Sequence, residues 1–251
     1  TAMTTVTKHD PGEFCWIELA TSDQKAARRF YGELFGWTAE EMPMPDGVYV
    51  MLSKDDRKVG AMYETSKMPP HWLPYIAVAS ADETTARAKE LGANVMQGAF
   101  DVMDAGRMSV VADPEGAVFA TWQANKHIGI QVARESGVLC WCELSTRNAD
   151  AARQFYGSVF GYKTKVSPEY TELHVGEMPV GGILPMHEHM KDVPPHWLSY
   201  ICVDDCDASA AKAQSLGAGT LVAPMDIEKV GRFSVLRDPQ GAVFAVFQPK
   251  M

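Results

Sequence analysis

Residues 16–37, WIELATSDQKAARRFYGELFGW, return in this chain as residues 141–162, WCELSTRNADAARQFYGSVFGY. The copies lie 125 residues apart (141 − 16), and three further landmarks keep that offset. PPHWLPYIAV at Pro69 returns as PPHWLSYICV at Pro194, and ELGA at Glu90 returns as SLGA at Ser215. GRMSVVADPEGAVFA at Gly106 returns as GRFSVLRDPQGAVFA at Gly231. A repeat of this length marks two similar domains, since solenoid units are much shorter. A fainter echo runs inside each copy: Trp16 to Trp72 keeps the spacing of Gly36 to Gly92, and Trp141 to Trp197 that of Gly161 to Gly217. Each echoed unit reads as an apolar strand, a polar break and a helix closed by glycine. The chain therefore holds four related modules, two per domain.

With 251 residues, 46% hydrophobic and 22% charged, the chain has the composition of an ordinary globular protein of two domains. A net charge of −9 offers no basic surface, which argues against a nucleic-acid partner. No apolar run approaches the ~20 residues that cross a bilayer, and no signal-peptide core is present, so a cytoplasmic protein without a membrane partner is expected. Thr1 and Ala2 ahead of Met3 read as a cloning remnant. The five cysteines are odd in number, form no CxxC and sit mostly in apolar strand patterns, as buried reduced thiols do. Cys202 and Cys206 offer a weak zinc pair, because their surroundings read as core strand and helix start.

Residues 1–12 lack periodicity and read as a loose arm. Residues 14–20 alternate, with Phe14, Trp16 and Glu18 on one face and Cys15, Ile17 and Leu19 on the other. Ser22 or Asp23 caps a helix whose apolar side runs through Ala26, Ala27, Phe30, Leu34 and Phe35, and Gly36 supplies its left-handed exit. Pro43, Pro45 and Asp46-Gly47 then divide the chain into strands near 37–42, 48–53 and 59–63. In the second module, residues 72–79 form a strand and Asp82 caps a helix ending at Leu91-Gly92. Residues 94–97 give a brief strand, and 108–112 with 117–123 a hairpin around Asp113-Pro114-Glu115-Gly116. Residues 124–137 read as a connector lying along the surface. The second domain repeats the plan, with helices near 149–160 and 208–216 and an added MHEHMKDV loop before His196.

FYGELFGW, PPHW, GRMSV and DPEGAVF, each present twice, together resemble the vicinal oxygen chelate superfamily of glyoxalase I, bleomycin-resistance proteins and extradiol dioxygenases. The likeness is strongest to its tandem-domain, glyoxalase-like subgroup and covers nearly the whole chain. It implies an α+β fold of two glyoxalase-like domains, near 10–124 and 137–249, each built from two βαβββ modules curled around a ligand cleft. Metal-using members place His or Glu on the first and last strand of each module. The corresponding positions here are Trp16 and Trp141, Ala120 and Ala245, and Trp72 or Leu73 with Trp197 or Leu198. The fourth lies in VGAM and VGGI, and none of these side chains coordinates a divalent ion. The expectation is no metal and no cofactor.

Polar groups remain beside that cleft. Glu18 and Glu143 share the strand face of Trp16 and Trp141, as a rim carboxylate or as a pocket acid or base. His71 and His196, after Pro-Pro, either join the pocket or bond a loop carbonyl. Arg107 and Arg232 either clamp an anionic group or pair with Glu18 and Glu143. Trp16, Tyr75, Trp122, Trp141, Tyr200 and Phe247 read as an aromatic lining or as core. His187 and His189 in the added loop make a poor metal site. The expected partner is a small molecule, aromatic or apolar and possibly anionic, held without metal. The alternatives are a lyase, isomerase or dioxygenase-type enzyme, with displaced metal ligands or with Glu18 and His71 in acid–base roles, and an interaction protein with vestigial clefts.

Overall fold

The computed structural model describes residues 4–45 and 47–250, and at His189 the backbone only. Thr1, Ala2, Met3, Asp46 of the Asp46-Gly47 turn and the His189 side chain lie outside the described residues. After a short strand β1 (Thr4–Thr5), the first module runs β2 (Phe14–Thr21), α1 (Gln24–Phe35), β3 (Thr38–Met44), β4 (Gly47–Lys54) and β5 (Arg57–Glu64). The second runs β6 (His71–Ala77), α2 (Ala81–Glu90), β7 (Asn94–Val102), β8 (Gly106–Ala112) and β9 (Val118–Ala124). They join in one eight-stranded sheet of order β3-β4-β5-β2-β6-β9-β8-β7. A connector carrying β10 (Val132–Ala133) leads to the second copy. That copy comprises β11 (Leu139–Thr146), α3 (Ala149–Phe160), β12 (Lys163–Val166), β13 (Thr171–Val175), β14 (Met178–Pro185), β15 (His196–Cys202), α4 (Cys206–Ser215), β16 (Gly219–Ile227), β17 (Gly231–Arg237) and β18 (Val243–Pro249). Its eight strands repeat the order as β12-β13-β14-β11-β15-β18-β17-β16. No helix among the described residues is long and apolar enough to cross a membrane.

The helices form where the sequence punctuates them. Asp23 accepts the Ala26 N–H at 2.9 Å, and Gly36 closes α1 at φ 73°. Asn148 and Gly161 do the same for α3. In α2 the cap is Ser80, not Asp82, whose carboxylate is held by Arg107 instead. β7 runs nine residues rather than four, because its far half pairs with β8 from Phe100 to Val102. From Thr4 on, the N-terminal arm is not loose: β1 pairs with β10, and the His9 ring bonds the Ile130 carbonyl at 2.8 Å. Nor are the thiols all buried, since Cys140 is exposed.

Between the two sheets, α1 packs on α4 and α2 on α3. Phe30, Tyr31 and Phe35 of α1 surround Phe244, while Tyr156 and Phe160 of α3 surround Phe119. Hydrogen bonds cross at the same place. Trp72 Nε1 donates to the Tyr31 hydroxyl (2.9 Å), which donates to Asp238 Oδ2 (2.8 Å) in the DPQG turn of the other domain. Asp238 Oδ1 accepts the N–H groups of Gln240, Gly241 and Ala242. The copy runs from Trp197 to Tyr156 to Asp113, each step 2.9 Å. FYG, PPHW and DPxG therefore recur together because they form one network, made twice, that joins the domains.

Candidate functional site

The face of each sheet turned away from the helices carries the aromatic, glutamate and histidine candidates, while Arg107 and Arg232 fall on the helix side. β2 pairs with β6 so that Trp16 faces Tyr75, Glu18 faces Leu73 and Ala20 faces His71. Directly paired residues share a face, so Leu73 lies on the cleft side and Trp72 on the helix side. β9 adds Ala120 beside Tyr75 and Trp122 beside Ala77, and β5 adds Ala61 beside Glu18. In the second domain the same face holds Trp141, Glu143, Gly182, Leu198, Tyr200, Ala245 and Phe247.

A carboxylate sits at the centre of each face. The Tyr49 hydroxyl donates to Glu18 Oε2 at 2.6 Å, and the Tyr75 hydroxyl is a second partner. In the second domain the Tyr200 hydroxyl donates to Glu143 Oε1 at 2.9 Å, with Tyr170 as the second partner. Trp141 Nε1 donates in turn to the Tyr170 hydroxyl at 2.8 Å. Burial raises the pKa of Glu18 and Glu143 above the usual carboxylate range, and the tyrosine donors only partly oppose it. Burial and the adjacent carboxylate also push Tyr49 and Tyr75 well up. No cation contributes to either shift. Gly182 makes the second arrangement possible, because a Cβ there would lie 2.1 Å from the Tyr170 hydroxyl oxygen. Gly106 and Gly231 act likewise for Trp122 and Phe247, whose ring atoms come within 2.6 and 2.7 Å of where a Cβ would be.

His71 and His196 lie on the cleft side of the register, but each ring bonds a loop carbonyl, Pro69 at 2.9 Å and Pro194 at 2.8 Å. Neither bonds a cleft carboxylate, so the Glu18–His71 acid–base pair is not assembled. Arg107 and Arg232 are held away from the cleft by aspartates. Arg107 forks onto Asp82 (2.7 and 2.9 Å) and reaches Asp101 (3.0 Å), and Arg232 does the same to Asp207 and Asp226. These forks tie a helix start to the sheet edge. They supply neither an anion clamp nor a partner for Glu18 or Glu143.

Tyr49, Tyr170 and His127 were not legible as site residues. Tyr49 and Tyr170 fall off the 125-residue offset because the second meander is shorter at that point, and His127 lies in the connector. Of the positions that the resemblance matches to metal ligands, the register puts Trp16, Ala61, Leu73 and Ala120 on the cleft face, with Trp141, Gly182, Leu198 and Ala245 in the copy. Such a donor set does not fit a divalent ion. Among the described residues no three His, Cys, Asp or Glu side chains gather to replace it.

The profile of the Glyoxalase/Bleomycin resistance protein/Dioxygenase superfamily matches residues 14–121, and that of a glyoxalase-like domain matches residues 141–247. The chain belongs to this superfamily, as two tandem domains. It is 43% identical over 246 residues to "Putative glyoxylase CFP32" of Mycobacterium tuberculosis, covering 93% of this chain and 94% of that protein. It is 34% identical over 268 residues to the anthracycline biosynthesis protein DnrV of Streptomyces peucetius, covering 97% and 95%. In structure it resembles the Mn(II)-bound glyoxalase of Novosphingobium aromaticivorans, with a TM-score of 0.68 at 16% identity and coverage of 95% and 82%. It also resembles the 2,3-dioxygenase LapB of Pseudomonas sp. KL28, with a TM-score of 0.66 at 15% identity and coverage of 100% and 94%. At these identities the structural likeness is one of fold.

Proposed function

We propose that the chain binds, without metal, a flat organic molecule that is neutral or cationic. The observation that carries this is Glu143, bonded by Tyr200 and Tyr170 on the strand face it shares with Trp141, with no counter-cation among the described residues. Aromatic rings beside a carboxylate favour an organic cation twice, through the ring and through the charge, with about 0.5–2 kcal/mol from a ring alone. An anion would meet like charge, and the guanidiniums of Arg107 and Arg232 are already held by aspartates. The names of the relatives, a glyoxylase and an anthracycline biosynthesis protein, support a small organic ligand. The raised pKa of the same carboxylates favours a second reading, proton transfer on that ligand, which turnover separates from binding.

The test is a matched pair of probes, N-methylquinolinium and quinoline-2-carboxylate, titrated against tryptophan fluorescence. The cation is expected to bind at least about tenfold more tightly, and Glu143→Gln to remove most of that preference. Tighter binding of the anion overturns the proposal.

A further inference from the structure

The two clefts are built alike but covered differently. In the first domain the connector folds back over the cleft. Asn125 and His127 donate their N–H groups to the Ala105 carbonyl, and Trp122 Nε1 donates to the His127 carbonyl at 2.8 Å. Ile130 N–H bonds the Cys15 carbonyl, and Gln131 and Lys58 bond each other twice. The strap lies so close to β2 that a Cβ on Gly129 would fall 2.2 Å from the Cys15 carbonyl oxygen. The His127 ring stands edge-on to Trp16, at 4.5 Å between centroids and 88° between planes, and 5.9 Å from Trp122. Its Nε2 is buried and has no partner among the described residues. Cleft and core merge here: Trp16 is 4% exposed, Trp122 6% and Cys15 0%.

In the second domain the counterparts Trp141 and Phe247 are only half-buried, and Cys140, the counterpart of Cys15, is exposed. Leu198, Tyr200, Val235 and Ala245 form a separate apolar cluster there, with Trp141, Phe233 and Phe247 against it.

We propose that the clefts divide their roles: the second domain's cleft takes the ligand, and in the first domain His127 occupies the place of a ligand ring. The inference rests on the cleft being the binding site. It deepens that reading in two respects. Binding has a stoichiometry of one per chain, and the ligand class follows from the stand-in: a planar ring of heteroaromatic kind, set edge-on to Trp141 with any positive charge toward Glu143.

The test titrates N-methylquinolinium against the whole chain and its Trp16→Phe, Trp141→Phe and His127→Gly variants, with His127→Phe keeping a ring in place. One equivalent is expected, lost with Trp141→Phe and kept with Trp16→Phe. His127→Gly should add a second equivalent that depends on Trp16, whereas His127→Phe should not. Two equivalents in the unaltered chain, or loss of the single one with Trp16→Phe, overturns the division while leaving the clefts as binding sites. Absence of saturation in every variant overturns the cleft reading itself. The strap is then judged by acrylamide, which should reach Trp16 only in His127→Gly; equal quenching in both proteins overturns the strap's role as well.

Discussion

Glu143 is a carboxylate whose surroundings disfavour its charge, and that has a measurable consequence for stability. Its folded pKa is raised by burial. The stability it contributes is therefore present below the unfolded value and is lost as pH rises through the folded one. Glu143→Gln removes the charge but keeps the shape. Its thermal midpoint is expected to exceed that of the unaltered chain at pH 8 and to match it near pH 4. A lower midpoint at pH 8 would mean that the ionised form is favoured and the account of Glu143 is wrong. Trp16, Glu18, Trp141 and Glu143 were legible from the sequence, because alternation on one strand fixes which side chains share a face. Tyr49 and Tyr170 were not, since a hydroxyl reaching a carboxylate from two strands away leaves no local pattern. Arg107 and Arg232 misled for a related reason: their acidic partners come from a helix start and a neighbouring strand.

At the scale of elements, the connector is the segment whose sequence says least about its role. It has no period, yet it carries β10 and the ring that fills the first cleft. Burial first, and then the charges of Lys58 and His9, lower the His127 pKa to about 4. His9 itself faces Glu13, at 3.4 Å. A folded pKa below the unfolded 6.5 means that the stability is present above about pH 6.5 and is lost as pH falls toward about 4. The strap is thus expected to loosen across that window. Acrylamide quenching that depends on Trp16 should rise between about pH 6.5 and 4 in the unaltered chain and stay flat in His127→Phe. A flat profile in both would show that protonation of His127 does not act on the strap. By contrast, α1 and α3 were legible almost to the residue, because Asp23, Asn148, Gly36 and Gly161 fix their ends through bonds made within one turn.

For the whole molecule, the repeat showed two domains but not why its landmarks travel together. Tyr31, Trp72 and Asp238 are far apart in sequence, and the Tyr31–Asp238 bond that completes the network exists only once the domains are joined. Tyr31→Phe leaves Asp238 Oδ2 and the Trp72 indole N–H without this partner in a buried place. A loss of about 1–3 kcal/mol is expected in a denaturant titration, and Tyr156→Phe should cost a similar amount. If either substitution proves neutral, the network is packing rather than a join. Each cleft lies on the sheet face away from the helices that make this join, so each can be asked separately whether it is filled. The most direct measurement of the central proposal is electron density from crystals soaked in N-methylquinolinium. The account predicts one ring per chain, edge-on to Trp141 with its charged nitrogen toward Glu143, and His127 still against Trp16. A probe seated on Trp16, or lying away from Glu143 in the second cleft, would contradict it.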